Sequence, residues 1–123
     1  MKLDNNITAL FEKWNNALQT GDPKKVAELY EYNAILLPTV SNKVRHNHDE
    51  IADYFVTFLA KKPVGKIDEG NVRTFGDIAI NSGVYTFTFE DGSAVTARFT
   101  YVYRWNGQDW KIIEHHSSAM PEG

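Results

Sequence analysis

The run Glu114-His115-His116-Ser117-Ser118 brings a carboxylate, two imidazoles and two hydroxyls together in consecutive positions. An imidazole exchanges protons near neutral pH, so such a run can serve acid/base chemistry, hold a ligand or bind a metal. It lies at the end of an apolar stretch with strand-like alternation, where neighbouring side chains point to opposite faces. His115 and His116 therefore cannot both reach one metal ion or one substrate atom unless a bulge intervenes. One of the two is expected inside, and His116 is the catalytic candidate. The alternative is a buried histidine that only holds a hydrogen bond.

Arg98 sits in an apolar strand-like segment, where an unpaired guanidinium is costly, so it needs a carboxylate, a ligand anion or solvent. Glu114 is the partner a structural ion pair would use, and a pocket role for Arg98 as a second catalytic candidate stands beside that reading. His46, His48 and Asp49 have a spacing that an extended loop could turn toward a metal, but Asn47 as a helix cap accounts for the same residues. No metal site is expected. Glycine-rich phosphate loops, a G-x-S-x-G elbow and a zinc helix with paired histidines are all missing from the sequence. Kinase, serine-hydrolase and zinc-protease mechanisms have no residues to run on.

The elements that must position these groups follow from periodicity. Ile7, Leu10, Phe11, Trp14, Ala17 and Leu18 recur at helical spacing and Gly21 follows as a cap. Asp22-Pro23 starts a short second helix with Val26, Leu29 and Tyr30 on one side. Ala34 to Leu37 reads as a brief strand ended by Pro38, and Thr39 to Arg45 as a polar loop. Asn47 with Glu50 resembles a capping box for a third helix, whose stripe of Ile51, Tyr54, Phe55, Phe58 and Leu59 ends before Pro63. From there the period becomes two. Segments 67–75, 78–89, 94–105 and 110–118 read as strands joined by Gly76-Asp77, Asp91-Gly92 and Asn106-Gly107 turns.

Helices followed by hairpin-linked strands predict an α+β fold, with the helices on one face of an antiparallel sheet. Tyr85, Phe87 and Phe89 share one face, as do Phe99, Tyr101, Tyr103 and Trp105, and these aromatic faces are expected beneath the helices. Thr96, Arg98, Thr100, Val102 and Arg104 lie on the other side of their strand. Trp110, Ile112, Glu114 and His116 alternate along the last one. That second face is too apolar to be left wholly in water, which predicts a partner chain against it.

With 123 residues, 42% apolar and 24% charged, the chain fits one globular domain spanning 1–123. No cysteine is present, so disulfides and thiol chemistry are excluded. A net charge of −3, with lysines and arginines scattered among acids, gives no footprint for nucleic acid. No apolar run reaches the ~20 residues of a membrane span, and the first residues lack a signal-peptide core, so a cytoplasmic location is expected.

The order of helices and curved sheet is similar to the nuclear transport factor 2-like superfamily. The chain more closely resembles the association (hub) domain of calcium/calmodulin-dependent protein kinase II and its stand-alone bacterial relatives. The stretches that carry the likeness are Val44-Arg45, Asp53-Tyr54-Phe55, Phe75-Gly76-Asp77, Thr100-Tyr101-Val102-Tyr103 and Trp110-Lys111-Ile112-Ile113, with His116, Ser118 and Pro121. The resemblance implies a conical fold of three N-terminal helices on a curved sheet. It also implies a deep pocket between the sheet and the first and third helices, and homo-oligomers, dimers or larger rings, built by packing sheets. Kinase activity and calmodulin binding are not expected to carry over with the resemblance, since the 123 residues read here hold no kinase motif. Positions where animal hub domains carry pocket arginines hold Tyr85, Tyr101 and Ser117 in this chain.

The expected pocket comprises Trp14, Tyr54, Phe58, Tyr85, Arg98, Tyr101, Tyr103, Glu114 and His116, without a cofactor. Its expected guest is a small apolar or carboxylate molecule. The rival reading is an isomerase, dehydratase or cyclase of the same superfamily. In that case His116 would be acid or base, Tyr85 or Tyr101 a donor to an oxyanion, and Arg98 an electrostatic stabiliser.

Overall fold

The computed structural model describes residues 3–39 and 41–121. Helix α1 (Leu3–Gln19) is followed by α2 (Pro23–Ala27), strand β1 (Tyr30–Leu37) and helix α3 (His48–Ala60). Four long strands complete the chain: β2 (Val64–Phe75), β3 (Ile78–Thr88), β4 (Ala94–Trp105) and β5 (Trp110–Ala119). Ile7, Phe11, Trp14 and Leu18 form the buried stripe of α1, at the i, i+4, i+7, i+11 spacing of one helix face. Asp22 caps α2 by accepting from the Lys24 N–H at 3.0 Å. Asn47 caps α3 through the Glu50 N–H, also at 3.0 Å. Glu50 in turn accepts the His46 N–H, a capping-box exchange displaced by one residue.

The sheet order is β1-β5-β4-β3-β2. Neighbours from β2 to β5 are antiparallel, but β1 joins β5 in parallel. The sheet is therefore mixed, a correction to the wholly antiparallel expectation. The second helix also stops earlier than its pattern suggested, so that Tyr30 opens β1 instead of closing α2. Leu36 and Arg45 exchange backbone hydrogen bonds of 2.9 Å, which folds the intervening polar loop back on β1. Val40 of that loop and Met1-Lys2 of the N-terminal stretch lie outside the described residues.

Two bulges bend the sheet. Asp68 is the extra residue between the Ile67–Tyr85 and Glu69–Val84 pairs, and Ile113 is the extra residue between the Tyr103–Ile112 and Val102–Glu114 pairs. A bulge increases local twist and curves its strand. The concave side carries the core: Tyr85, Phe87, Phe99, Tyr101 and Tyr103 are buried against Phe11, Trp14 and Phe55 of the helices. Burying one such ring contributes about 2–3 kcal/mol, so these contacts dominate the helix-to-sheet packing. No helix among the described residues is long and apolar enough to cross a membrane.

Candidate functional site

Beneath α1 and α3 the concave side leaves a cavity of about 180 Å³. Its apolar wall comes from Trp14 of α1, Tyr54, Phe55 and Phe58 of α3, and Phe87 and Ala97 of the sheet. Spacing explains the α3 contribution. Ile51, Phe55 and Leu59 repeat every four residues and point into the core, whereas Tyr54 and Phe58 sit one residue to the side and border the cavity, half-buried. Tyr54 stacks on Phe58 at 5.8 Å, with the Arg45 guanidinium 5.6 Å from its ring centre. Arg45 is held in turn by Asp53 at 2.8 Å and the Glu50 carbonyl at 3.2 Å. Lys61 lines the rim, its exposed ammonium 5.7 Å from the Phe89 ring centre.

One part of the wall is polar, built by Thr39, Tyr85, His115 and Ser117. The Ile113 bulge puts it there. Ile112 faces the core, and the inserted residue shifts the alternation so that His115 and Ser117 turn inward while Glu114 and His116 turn out. His115 is 2% exposed. Its Nδ1 lies 2.8 Å from the Tyr30 hydroxyl and its Nε2 lies 3.2 Å from the Tyr85 hydroxyl. Trp14 Nε1 donates to Tyr30 at 3.1 Å, Tyr85 donates to Ser117 at 2.7 Å, and Ser117 meets the Thr39 hydroxyl at 2.5 Å. Tyr101 lies flat on the imidazole, 4.1 Å between ring centres and 21° between planes.

Burial sets the electrostatics. Desolvation, aided by the nearby His116, pushes the His115 imidazole down to about 3, so the ring is neutral at physiological pH. Burial raises the Tyr30, Tyr85, Tyr101 and Tyr103 phenols, although the Trp14 and Ser117 hydrogen bonds favour ionisation of Tyr30 and Tyr85 respectively. Tyr54, less deeply buried, is raised to about 12. The polar wall is thus a set of uncharged hydrogen-bonding groups.

Of the residues expected from sequence, Trp14, Tyr54, Phe58 and Tyr85 border this cavity. Tyr101 supports His115 from behind, and its hydroxyl finds no partner among the described residues. Tyr103 is buried elsewhere, beside Leu29 and Trp110. Three expectations are corrected. Arg98, Glu114 and His116 are exposed and lie on the convex face, Arg98 opposite Ser118 and Glu114 opposite Val102. No ion pair joins Arg98 to Glu114 among the described residues, because the register sets them four positions apart along β4. The catalytic set of His116, Arg98 and Tyr85 or Tyr101 is therefore divided between opposite faces and does not converge. The outward alternation expected for Trp110 and Ile112 is likewise overturned by the bulge, since both face the core.

His46 and His48 have different partners, the Glu50 carboxylate at 2.9 Å and the Tyr30 carbonyl at 2.6 Å. Among the described residues no cluster of three potential metal ligands exists. Sequence reasoning missed Tyr30, Thr39 and His115 as site residues. The signal for His115 was the adjacent apolar pair Ile112-Ile113, which breaks strict alternation just before it.

The family model of the calcium/calmodulin dependent protein kinase II association domain matches residues 4–121. A candidate association domain of that kinase family from Xanthomonas campestris has 51% sequence identity and a TM-score of 0.92, over 96% of this chain and 88% of that one. More distant structures share the fold. A nuclear transport factor 2-like protein with a cystatin-like fold from Novosphingobium aromaticivorans has 14% identity and a TM-score of 0.80, over 98% of this chain and 84% of that one. A candidate ketosteroid isomerase from Parabacteroides distasonis has 19% identity and a TM-score of 0.80, over 97% and 89%. No curated protein matches the chain in sequence. With a conical α+β fold and a family match along nearly its whole length, the chain belongs to the calcium/calmodulin dependent protein kinase II association domain family.

Proposed function

We propose that this chain is a self-associating module without kinase activity, which packs copies of itself through the convex face of its sheet and holds a small molecule in the cavity on the concave face. The observation that carries the assembly is the composition of the convex face. Cross-strand rows there read Phe75, Ile78, Arg104, Lys111, then Arg73, Ile80, Val102, Glu114, Ile35, then Asn71, Ser82, Thr100, His116, Leu37. Phe75 is 58% exposed at the margin. An apolar belt crossed by complementary charges suits an interface between sheets better than a surface left in water.

The cavity reading is supported by an apolar chamber with a few convergent polar groups, the usual form of a small-molecule site. The division of Arg98 and His116 from Tyr85 weighs against the isomerase-type mechanism. Light scattering coupled to gel filtration tests the assembly. The expected particle is a dimer or a larger ring of the 14.0 kDa chain. Val102→Asp, which sets a carboxylate opposite Glu114, should release monomers that keep their circular dichroism spectrum. A wild-type particle of one chain at micromolar concentration would remove the assembly reading.

A further inference from the structure

The hydrogen bonds that lead into the cavity have a direction, and it follows from which groups can donate. Trp14 Nε1 is a donor only, so the Tyr30 oxygen accepts from it. The Tyr30 proton then has His115 Nδ1 as its acceptor, because a second acceptance would leave a buried hydroxyl proton unpaired, at a cost of about 1–3 kcal/mol. A neutral imidazole that accepts at Nδ1 carries its proton on Nε2 and donates to Tyr85. Tyr85 donates to Ser117, and Ser117 meets Thr39. Every proton from Trp14 to Ser117 points the same way, from core to cavity.

The end of this chain holds one donor more than it uses. If Ser117 donates to Thr39, the Thr39 hydroxyl proton is free. If Thr39 donates to Ser117, the Ser117 proton is free. Either way a single hydroxyl proton is left without a partner among the described residues at the cavity wall, and donors aligned head to tail polarise one another toward it. The groups at this wall carry no positive charge to meet an anion. Among the described residues Lys61 is the cationic side chain that lines the cavity, and it is exposed at the rim, where water screens it, while Arg45 behind Tyr54 is already paired with Asp53. A carboxylate seated against the hydroxyls would exchange its hydration for one good hydrogen bond. A neutral oxygen gives up much less water for the same bond.

We propose that the cavity selects an uncharged molecule by one oxygen acceptor, a ketone or similar carbonyl, held by the terminal hydroxyl of the Ser117–Thr39 pair, and discriminates against the carboxylate of the same shape. This rests on the reading of the cavity as a small-molecule site. The volume of about 180 Å³ sets the scale of the guest, since an apolar cavity of about 150 Å³ accepts benzene. A monocyclic ring with a two-carbon substituent is therefore the size of probe to use.

The experiment titrates the full chain with acetophenone, benzoate and ethylbenzene, followed by amide shifts in heteronuclear NMR. Acetophenone should bind at least about tenfold tighter than benzoate at neutral pH. In the Thr39→Val, Ser117→Ala double variant, acetophenone should weaken by about tenfold while ethylbenzene holds its affinity. Nitrogen shifts of His115 give a readout independent of the variants, and should identify the Nε2-protonated tautomer. Benzoate binding as tightly as acetophenone, an acetophenone affinity indifferent to the double variant, or an Nδ1-protonated His115 would each overturn the selectivity while ethylbenzene binding upholds the site. Failure of both ethylbenzene and acetophenone to bind at millimolar concentration would remove the small-molecule reading itself, and the selectivity with it.

Discussion

Acidification from about pH 7 to about pH 5 should weaken the fold through the protonation of one residue, His115. In the unfolded chain this imidazole takes up a proton near its ordinary value of 6.5, while in the folded chain burial holds it neutral down to about 3. Between those values the unfolded state binds the extra proton. The stabilisation is therefore complete above about 6.5 and is lost progressively as the pH falls toward 3. Each pH unit within the window costs about 1.4 kcal/mol, so the step to about pH 5 removes about 2 kcal/mol. Glu50 and Asp91, both held below the ordinary carboxylate range by hydrogen bonds from His46 and Ser93, lose their contribution only at lower pH. The upper part of the window can thus be assigned to the histidine by urea unfolding at several pH values and one fixed protein concentration. His115→Gln is the comparator, because it keeps hydrogen-bonding atoms near Tyr30 and Tyr85 but cannot titrate. An imidazole whose carbon-bound proton shifts titrate above about pH 5, or a pH slope that survives in His115→Gln, would refute the reasoning.

Gly83→Ala should destabilise the chain by about 3 kcal/mol, measured by urea unfolding, because a methyl group there would stand 1.9 Å from the Glu69 carbonyl oxygen. The obstacle is backbone beside the Asp68 bulge, so β2 and β3 would have to part. Unfolding at the wild-type midpoint would contradict this close approach. Asn47→Ala removes the cap of α3 and should cost about 1 kcal/mol, with Asn47→Asp recovering most of it. Equal midpoints for the Ala variant and the wild type would show that Glu50 and Arg45 alone hold that end of the helix.

Where residue type and period spoke together, the sequence was sufficient. Trp14 and Phe55 lie in stripes that only a helix can align, and the strands from Ile78 onward alternate cleanly enough to put Tyr85 and Tyr101 inside. β1 was harder to read. Its parallel pairing depends on β5, some eighty positions away, and nothing local to Tyr30 announces that a tyrosine ending one helical pattern will open a strand. Thr39 was legible only as loop. Its meeting with Ser117 exists because the loop folds back through the Leu36–Arg45 bridge.

The harder case is the pair His115-His116, where one added residue decides the chemistry. Without the Ile113 bulge, strict alternation would carry His116 to the side of Ile112 and put an imidazole with different neighbours at the cavity. With it, His115 arrives between two tyrosines and beneath a third, and its two nitrogens are used by Tyr30 and Tyr85. The bulge therefore does more than bend the sheet. It links a packing residue of α1, Trp14, to a hydroxyl at the cavity wall through one directed row of protons, so the docking of α1 on the sheet and the polarity of the cavity are fixed by the same contacts. A change that tilts α1 enough to withdraw the Trp14 donor frees the Tyr30 oxygen to accept from His115 instead. The tautomer, and with it the direction of the donor offered to a guest, is then no longer set by the core.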